Sequence, residues 1–554
     1  MPRLTIDNRE VTMPEGATIL DAAAELGIRI PTLCFLKGQL PLTSCFVCVV
    51  KVNGKDNLVP ACATVAVDGM KVESQTAEVL AARRACLELL MSDHLGDCMA
   101  PCHSICPARM SIPRMIRHIA AGNTAEALAT AASSLVLPAT LGRICPAPCE
   151  KGCRRAARDA AVSIRALHRF ATDTELAARR PFVPQCKPAT GKSVAIVGAG
   201  PAGLSAAYHL LQAGHACTIF DDHDAPGGML RYGVDEKLLL REVLDAEIEP
   251  LRRMGAVFRM GVGVGRDITM DELRRTFAAV VLAVGEIRPV TGDAFGVKAL
   301  AGGGVHADRH TMQTSVAGIF AAGDVTRPAH DGLTPSPAPA AIGQPAVAGV
   351  SAAGDHPKHH RQRMAVRSVA DGAAAAAAVD QYLRGQPLAG QHHPFTCHIG
   401  PLKEGEIDKF CAKETGVSPA PRQRPVDHAG LTAPQAAAES RRCLHCDCRK
   451  ADGCRLREHC DALGVSATRF KAERRVFEHD LTHPSIIYES GKCIDCGLCI
   501  QIAALAKEPL GLTFIGRGFS VRVRAPFDGT LMAALAKVAD QCAAACPTGA
   551  LAKR

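Results

Sequence analysis

At 554 residues the chain exceeds the roughly 100–200 residues of a single domain, so it is expected to divide into several. Its 25 cysteines fall in tight groups, which in a long chain without an export signal argues for metal ligands and against a disulfide framework. The formal charge of +9 implies no nucleic-acid partner, because every thiolate bound to metal adds negative charge. The opening Met1-Pro2-Arg3-Leu4-Thr5 is not a basic-then-apolar leader, and no apolar run approaches the roughly 18 residues of a membrane span. A cytoplasmic protein with no membrane span is expected.

Residues 1–80 begin with alternating Leu4-Thr5-Ile6 and Val11-Thr12-Met13, then a helical Ala17–Ala24, the strand, strand, helix start of a β-grasp fold. Cys34, Cys45, Cys48 and Cys62 follow with spacing C-x10-C-x2-C-x13-C. Three thiolates on one loop and a fourth further on suit a 2Fe-2S cluster; structural zinc more often takes two close pairs. With Pro31-Thr32-Leu33-Cys34 and Pro60-Ala61-Cys62, the segment resembles the N-terminal domain of the large iron-sulfur subunit of respiratory complex I and of iron-only hydrogenases.

Residues 81–185 read as helical. Cys86, inside a periodic helix, is expected in the core. His94-x3-Cys98-x3-Cys102-x3-Cys106-Pro107 and Cys145-x3-Cys149-x3-Cys153 resemble the N-terminal domain of the glutamate synthase small subunit and of dihydropyrimidine dehydrogenase. That resemblance implies two 4Fe-4S clusters, one on Cys98, Cys102 and Cys153, the other on Cys106, Cys145 and Cys149. The family's usual first cysteine is missing, and His94 stands nearby in the H-x3-C spacing of complex I. The place of the family's Gln or Glu ligand to the second cluster falls on His168. Both histidines are expected as fourth ligands, with a plain packing role as the alternative.

Residues 190–390 are organised around Lys192–Leu204, a buried strand running through Gly198-Ala199-Gly200-Pro201-Ala202-Gly203 into a helix. In a Gly-x-Gly-x-x-Gly turn the first glycine permits the bend, the second lets backbone approach a pyrophosphate, and the third allows helix and strand to touch. Asp221 ends the next strand at about the 20-residue offset of a ribose-binding carboxylate. With Gly227-Gly228, the strand Val280–Gly285 and Ile319-Phe320-Ala321-Ala322-Gly323-Asp324, the segment resembles the FAD half of the glutamate synthase small subunit family. The resemblance implies a flavin contact at Asp324. The family's second nucleotide domain, for NAD(P)H, would lie between Gly285 and Thr314, where fewer residues remain than the roughly 30 of a βαβ unit. An insertion over 326–363, including His359, His360 and Arg361, precedes a helix from Val369 to Leu383 that the resemblance places with its N-terminus toward the flavin.

Residues 391–470 read as a linker followed by Cys443-x2-Cys446-x-Cys448-x5-Cys454-x5-Cys460, enough for a third 4Fe-4S cluster on the first four, with Cys460 as substitute and zinc as the alternative. Cys397 and Cys411 look isolated and structural. Residues 471–554 carry Cys493-x2-Cys496-x2-Cys499 and a returning Cys546-Pro547, half of a bacterial two-cluster ferredoxin. Cys493, Cys496, Cys499 and Cys546 then hold one 4Fe-4S cluster and Cys542 is left over.

The fold class expected is multidomain α/β plus α+β: a β-grasp 2Fe-2S domain, a helical iron-sulfur domain, a Rossmann-like FAD domain and a ferredoxin-like C-terminal domain. No side-chain constellation for hydrolysis or group transfer stands out, so the redox cofactors, FAD, one 2Fe-2S and about four 4Fe-4S clusters, carry the chemistry. The mixture is similar to the FAD subunits of electron-bifurcating transhydrogenase, hydrogenase and formate dehydrogenase complexes. That similarity implies an oxidoreductase subunit partnered by an NAD(P)-binding diaphorase, a hydrogenase or formate dehydrogenase subunit, and ferredoxin. A self-contained NAD(P)H oxidoreductase and a non-enzymatic cluster scaffold are the alternatives.

Overall fold

A computed structural model describes residues 1–286, 295–300, 303–327, 364–425, 429–470 and 473–554. The chain forms two compact units: Met1–Ala100 with His393–Val417 and Leu444–Arg554, and Pro101–His392 with Ser418–Cys443.

The first unit opens with a five-stranded mixed sheet. Arg3–Ile6 pairs antiparallel with Arg9–Thr12 on one side and parallel with Lys71–Glu73 on the other; Val49–Val52 and Leu58–Pro60 complete it. The helix Ile19–Glu25 starts at a capping box in which Thr18 and Asp21 satisfy each other's backbone N–H groups. Its buried Ile19, Ala22 and Ala23 join Leu4, Ile6, Val50 and Val72 in one core. The helix Ala77–Ser92 follows, and its Arg83, 1% exposed, donates to the Val49 carbonyl at 3.0 Å.

The C-terminal part of this unit joins Ile486–Tyr488 to Leu551–Lys553 as an antiparallel pair. The helices Leu498–Leu505 and Ala539–Ala545 pack over a core that includes Ile486, Val523, Leu531, Leu535 and Cys542. The stretch 393–417, read as linker, is packed. Ile399 and Phe410 are buried, Phe410 stacks on Phe477 with ring centroids 4.2 Å apart, and the Glu406 carboxylate gathers Lys403, Arg474 and Phe477. Irregular backbone held by side chains has no periodicity to betray it.

In the second unit the helices Ile112–Ala120, Thr124–Leu135, Pro138–Ile144 and Ile164–Ala177 pack on one another. Glu247, buried on Arg241–Arg253, accepts the Ala139 and Thr140 N–H groups at 2.5 and 2.6 Å and so ties the helical part to the sheet part. The five-stranded parallel sheet has spatial order Ile319–Ala321, Ala279–Leu282, Ser193–Val197, Ala216–Asp221, Val257–Met260. This is a doubly wound arrangement with the glycine-rich turn at its central strand. The last long helix runs Ala365–Leu383, four residues longer at its start than expected, and crosses Pro201–Gln212 so closely that a Cβ on Gly372 would lie 2.2 Å from the Ala202 carbonyl oxygen. Between Ala279–Leu282 and Ile319–Ala321 the described residues form isolated bridges, Ala299 with Val305 and Ala307 with Thr314, and no α-helix. From residue 328 onward the expected insertion, with His359, His360 and Arg361, lies outside the described residues.

Candidate redox centres and nucleotide cradle

In the N-terminal domain the four expected thiols come together as two pairs. The sulfurs of Cys34 and Cys45 are 3.3 Å apart and those of Cys48 and Cys62 are 3.4 Å apart. Two thiolates on one tetrahedral metal at about 2.3 Å sit roughly 3.8 Å from each other, so each pair has nearly the spacing of ligands to one metal. The hydrogen bond from Cys45 lowers the Cys34 pKa to about 5, and Cys62 does the same for Cys48, to about 7; the partner thiols are raised in return. Within each pair one thiol is eased toward the thiolate form that binds metal.

Of the helical-domain ligands, His94 and Cys98 belong to the first unit, and Cys102, Cys106, Cys145, Cys149, Cys153 and His168 to the second. The short helices Pro101–Ile105 and Pro148–Lys151 pack together and carry Cys102 and Cys149. Burial raises the Cys106, Cys145 and Cys149 thiols, and Cys149 also feels the charges of the other two. His168 is 4% exposed and its Nδ1 has no hydrogen-bond partner among the described residues; burial lowers its pKa to about 4. The His94 Nδ1 is likewise buried without a partner, and burial followed by the Lys492 charge brings its pKa to about 4. Neutral imidazoles with an idle buried nitrogen are what a metal ligand requires before the metal arrives, and an unsatisfied buried nitrogen is otherwise costly.

At the C-terminus Cys493, Cys496, Cys499 and Cys546 line a single cavity with Tyr488, Val523 and Pro547. The buried Tyr488 hydroxyl in its wall has no hydrogen-bond partner among the described residues. The cavity and its thiols fit a cluster with a hydroxyl donor beside it. Cys542 is fully buried in the neighbouring core, its thiol directed to the Cys499 carbonyl at 3.7 Å, a packing position. Cys446, Cys448 and Cys454 belong to the first unit and Cys443 to the second. Sequence reasoning missed Cys397, whose sulfur lies 3.5 Å from that of Cys98. Isolated in sequence, it offered no spacing to read.

The nucleotide cradle is built from backbone. Gly198 has φ +110°, and a side chain there would meet the Ala283 carbonyl at 2.3 Å. A Cβ on Gly203 would lie 1.9 Å from the Gly198 carbonyl oxygen, so only glycine lets the helix Pro201–Gln212 start this close to its strand. Gly200 is that helix's N-cap, and the Gly228 backbone approaches it. Asp221 steadies the turn: one carboxylate oxygen accepts the Ala199 N–H at 2.6 Å, and the other accepts the His223 backbone N–H at 3.0 Å and pairs with the His223 ring at 2.8 Å. At the strand ends, Gly323 packs against Ala202, and Asp324 pairs at 2.5 Å with Arg327, which reaches on to Asp371 in the long helix. Among the described residues, no single helix is long and apolar enough to cross a membrane.

Residues 2–77 match the family model of the 2Fe-2S iron-sulfur cluster binding domain, 69–180 that of dihydropyrimidine dehydrogenase domain II with its 4Fe-4S cluster, and 196–247 that of the NAD(P)-binding Rossmann-like domain. The beta subunit of the NADP(+)-dependent formate dehydrogenase of Moorella thermoacetica is 41% identical over 207 residues, 34% of this chain and 29% of that one. The beta subunit of the NADPH-Fe(3+) oxidoreductase of Geobacter sulfurreducens is 38% identical over 212 residues, 37% and 32% of the two chains. The small chain of the glutamate synthase [NADPH] of Bacillus subtilis is 41% identical over 182 residues, 32% and 36%. The chain spans about a third of the length of these curated relatives. It is a relative of these oxidoreductase subunits in which a 2Fe-2S domain, a 4Fe-4S domain of the dihydropyrimidine dehydrogenase kind and a Rossmann-like nucleotide-binding segment follow one another.

Proposed function

We propose that this chain is the FAD- and iron-sulfur-bearing electron-transfer subunit of a larger, electron-bifurcating oxidoreductase complex. Its partners would be an NAD(P)-binding diaphorase, a hydrogenase or formate dehydrogenase subunit, and ferredoxin. The dinucleotide would lie on Gly198, Gly200, Gly203 and Gly228, with Asp221 at its ribose and Gly323 and Asp324 beside the flavin. Cys34, Cys45, Cys48 and Cys62 would hold the 2Fe-2S cluster. Cys106, Cys145, Cys149 and His168 would hold one 4Fe-4S cluster, and Cys493, Cys496, Cys499 and Cys546 another. Flavin exchanges electrons in pairs or singly and clusters carry one at a time, so the combination converts hydride chemistry into single-electron traffic.

The observation that supports this reading best is the pairing of one nucleotide cradle with several convergent sets of buried thiols. No second βαβ unit appears among the described residues between Gly285 and Thr314. A second reading, direct oxidation of NAD(P)H by the chain alone, draws on the nicotinamide label of the matched Rossmann-like model and on the NADPH-linked relatives.

The test is anaerobic purification followed by release and identification of the flavin, then addition of NADH or NADPH with and without the native partner subunits. The expected result is releasable FAD that pyridine nucleotide bleaches only when partners are present. Bleaching by NADPH alone establishes the second reading, and a full set of clusters without any FAD reduces the chain to a wire.

A further inference from the structure

Three segments far apart in sequence meet in the first unit at cysteines. Cys98 donates its backbone N–H to the Cys397 carbonyl at 3.2 Å, and its own carbonyl accepts the Cys448 N–H at 3.3 Å. Asp97 fastens the same junction by accepting the Ile399 N–H at 3.0 Å. The sulfurs of Cys98 and Cys397 are 3.5 Å apart, wider than the roughly 2.05 Å of a disulfide and close to the roughly 3.8 Å of two thiolates on one tetrahedral metal. Cys454 caps the helix Arg455–Ala462, and its sulfur takes the Arg457 N–H at 3.5 Å. Cys98, Cys397, Cys448 and Cys454 are each less than a tenth exposed, and Cys98, Cys397 and Cys454 share one core.

Four thiols gathered in an apolar interior have a bland reading as packing, since free cysteine behaves as a small hydrophobe. The surroundings speak against it. Lys492, 3% exposed, is buried beside this junction: a Cβ on Gly96 would lie 2.6 Å from its Cε, and a Cβ on Gly549 would lie 2.2 Å from the Cys448 sulfur and 3.8 Å from the Lys492 Cδ. Glu489 pairs with that ammonium. A buried cation packed against thiols has its natural counterpart in thiolates, and buried thiolates in turn need cations or metal.

We propose that Cys98 and Cys397 are co-ligands in a four-thiolate metal site completed by Cys448 and Cys454, in place of the sequence-based grouping of Cys98 with Cys102 and Cys153. The site takes iron, as part of an iron-sulfur centre, or a single zinc, the two metals that accept four thiolates in this way. It stands on the geometry of the first unit and is independent of the flavin assignment.

The test compares anaerobically isolated full-length chain with Cys397→Ser and with Cys411→Ser as control, reading iron, acid-labile sulfide and zinc per chain, and the 2Fe-2S electron paramagnetic resonance signal as a check on folding. Cys397→Ser is expected to lose metal that Cys411→Ser keeps: iron and sulfide together for a cluster, one zinc alone for a mononuclear site. An unchanged metal content overturns the proposal. Should Cys397→Ser fail to fold, peptide mapping of the wild-type protein decides. Alkylation of Cys98 and Cys397 only after chelation supports the site; a Cys98–Cys397 disulfide, or ready alkylation of both in the metal-loaded protein, overturns it.

Discussion

The clearest single-residue question is why His168 is buried with one ring nitrogen unused. A buried donor or acceptor left without a partner costs about 1–3 kcal/mol, which selection would remove from a purely structural position. Ligation by that nitrogen, with Cys106, Cys145 and Cys149 as the proposed co-ligands, would account for the cost. Imidazole is neutral where thiolate is charged, so a centre that it completed would be less negative and easier to reduce. His168→Cys is therefore expected to keep the cluster and lower its midpoint potential in a redox titration followed by electron paramagnetic resonance, while His168→Ala loses or destabilises the same signal. Wild-type potentials and signals in both variants would remove His168 from the ligand set. The residues read from spacing, such as Cys34 with Cys45 and Cys48 with Cys62, could be found because their ligands are close in sequence. Cys397 could not, because its partner Cys98 is 299 positions away.

Among the elements, the least legible was the short helix Glu406–Phe410 in what reads as linker. Its Glu406 side chain is fully buried and accepts from both Arg474 terminal nitrogens, at 2.6 and 2.7 Å, and from the Phe477 and Lys403 N–H groups, each at 2.7 Å. A motif search has no handle on a carboxylate that fastens loops. By contrast, Pro201–Gln212 and Ser193–Val197 announce themselves through the glycine turn. Burial alone would raise the Glu406 pKa, but Arg474 and the two backbone donors more than offset it and bring the value down to about 2. Because the folded-state pKa lies below the ordinary 4.5, this group stabilises the first unit above about pH 4.5 and the contribution is lost as pH falls toward 2. Glu406→Ala is expected to lower stability by about 1–3 kcal/mol, the cost of leaving the half-buried Arg474 and the Phe477 and Lys403 N–H groups without their acceptor. Thermal unfolding against pH checks both statements: the wild type loses stability on acidification faster than Glu406→Ala does.

For the molecule as a whole, chain order misleads. In sequence a 2Fe-2S domain at one end and a ferredoxin-like segment at the other stand on either side of the Rossmann-like segment. Instead, the two ends fold into the same compact unit. The contacts responsible are long-range, and no local pattern encodes them: Leu42 of the cluster loop lies 2.7 Å from where a Cβ on Gly497 would stand, and Gln501 donates to the Leu40 carbonyl at 3.0 Å. Cys34, Cys45 and Cys496 share one buried core, and the Cys34 charge contributes to raising the Cys496 thiol, after burial and Cys546. Two one-electron centres at these positions would be neighbours, and neighbouring paramagnets relax each other's spins. In the fully reduced, metal-loaded protein the 2Fe-2S signal is therefore expected to resist microwave saturation. In Cys546→Ser, which would remove the proposed C-terminal centre and leaves Cys34, Cys45, Cys48 and Cys62 intact, the same signal should saturate at lower power. An identical saturation curve in the two proteins, with the C-terminal signal gone from the variant, would mean that the two centres are not in electronic contact and that electrons leave the 2Fe-2S domain by another route.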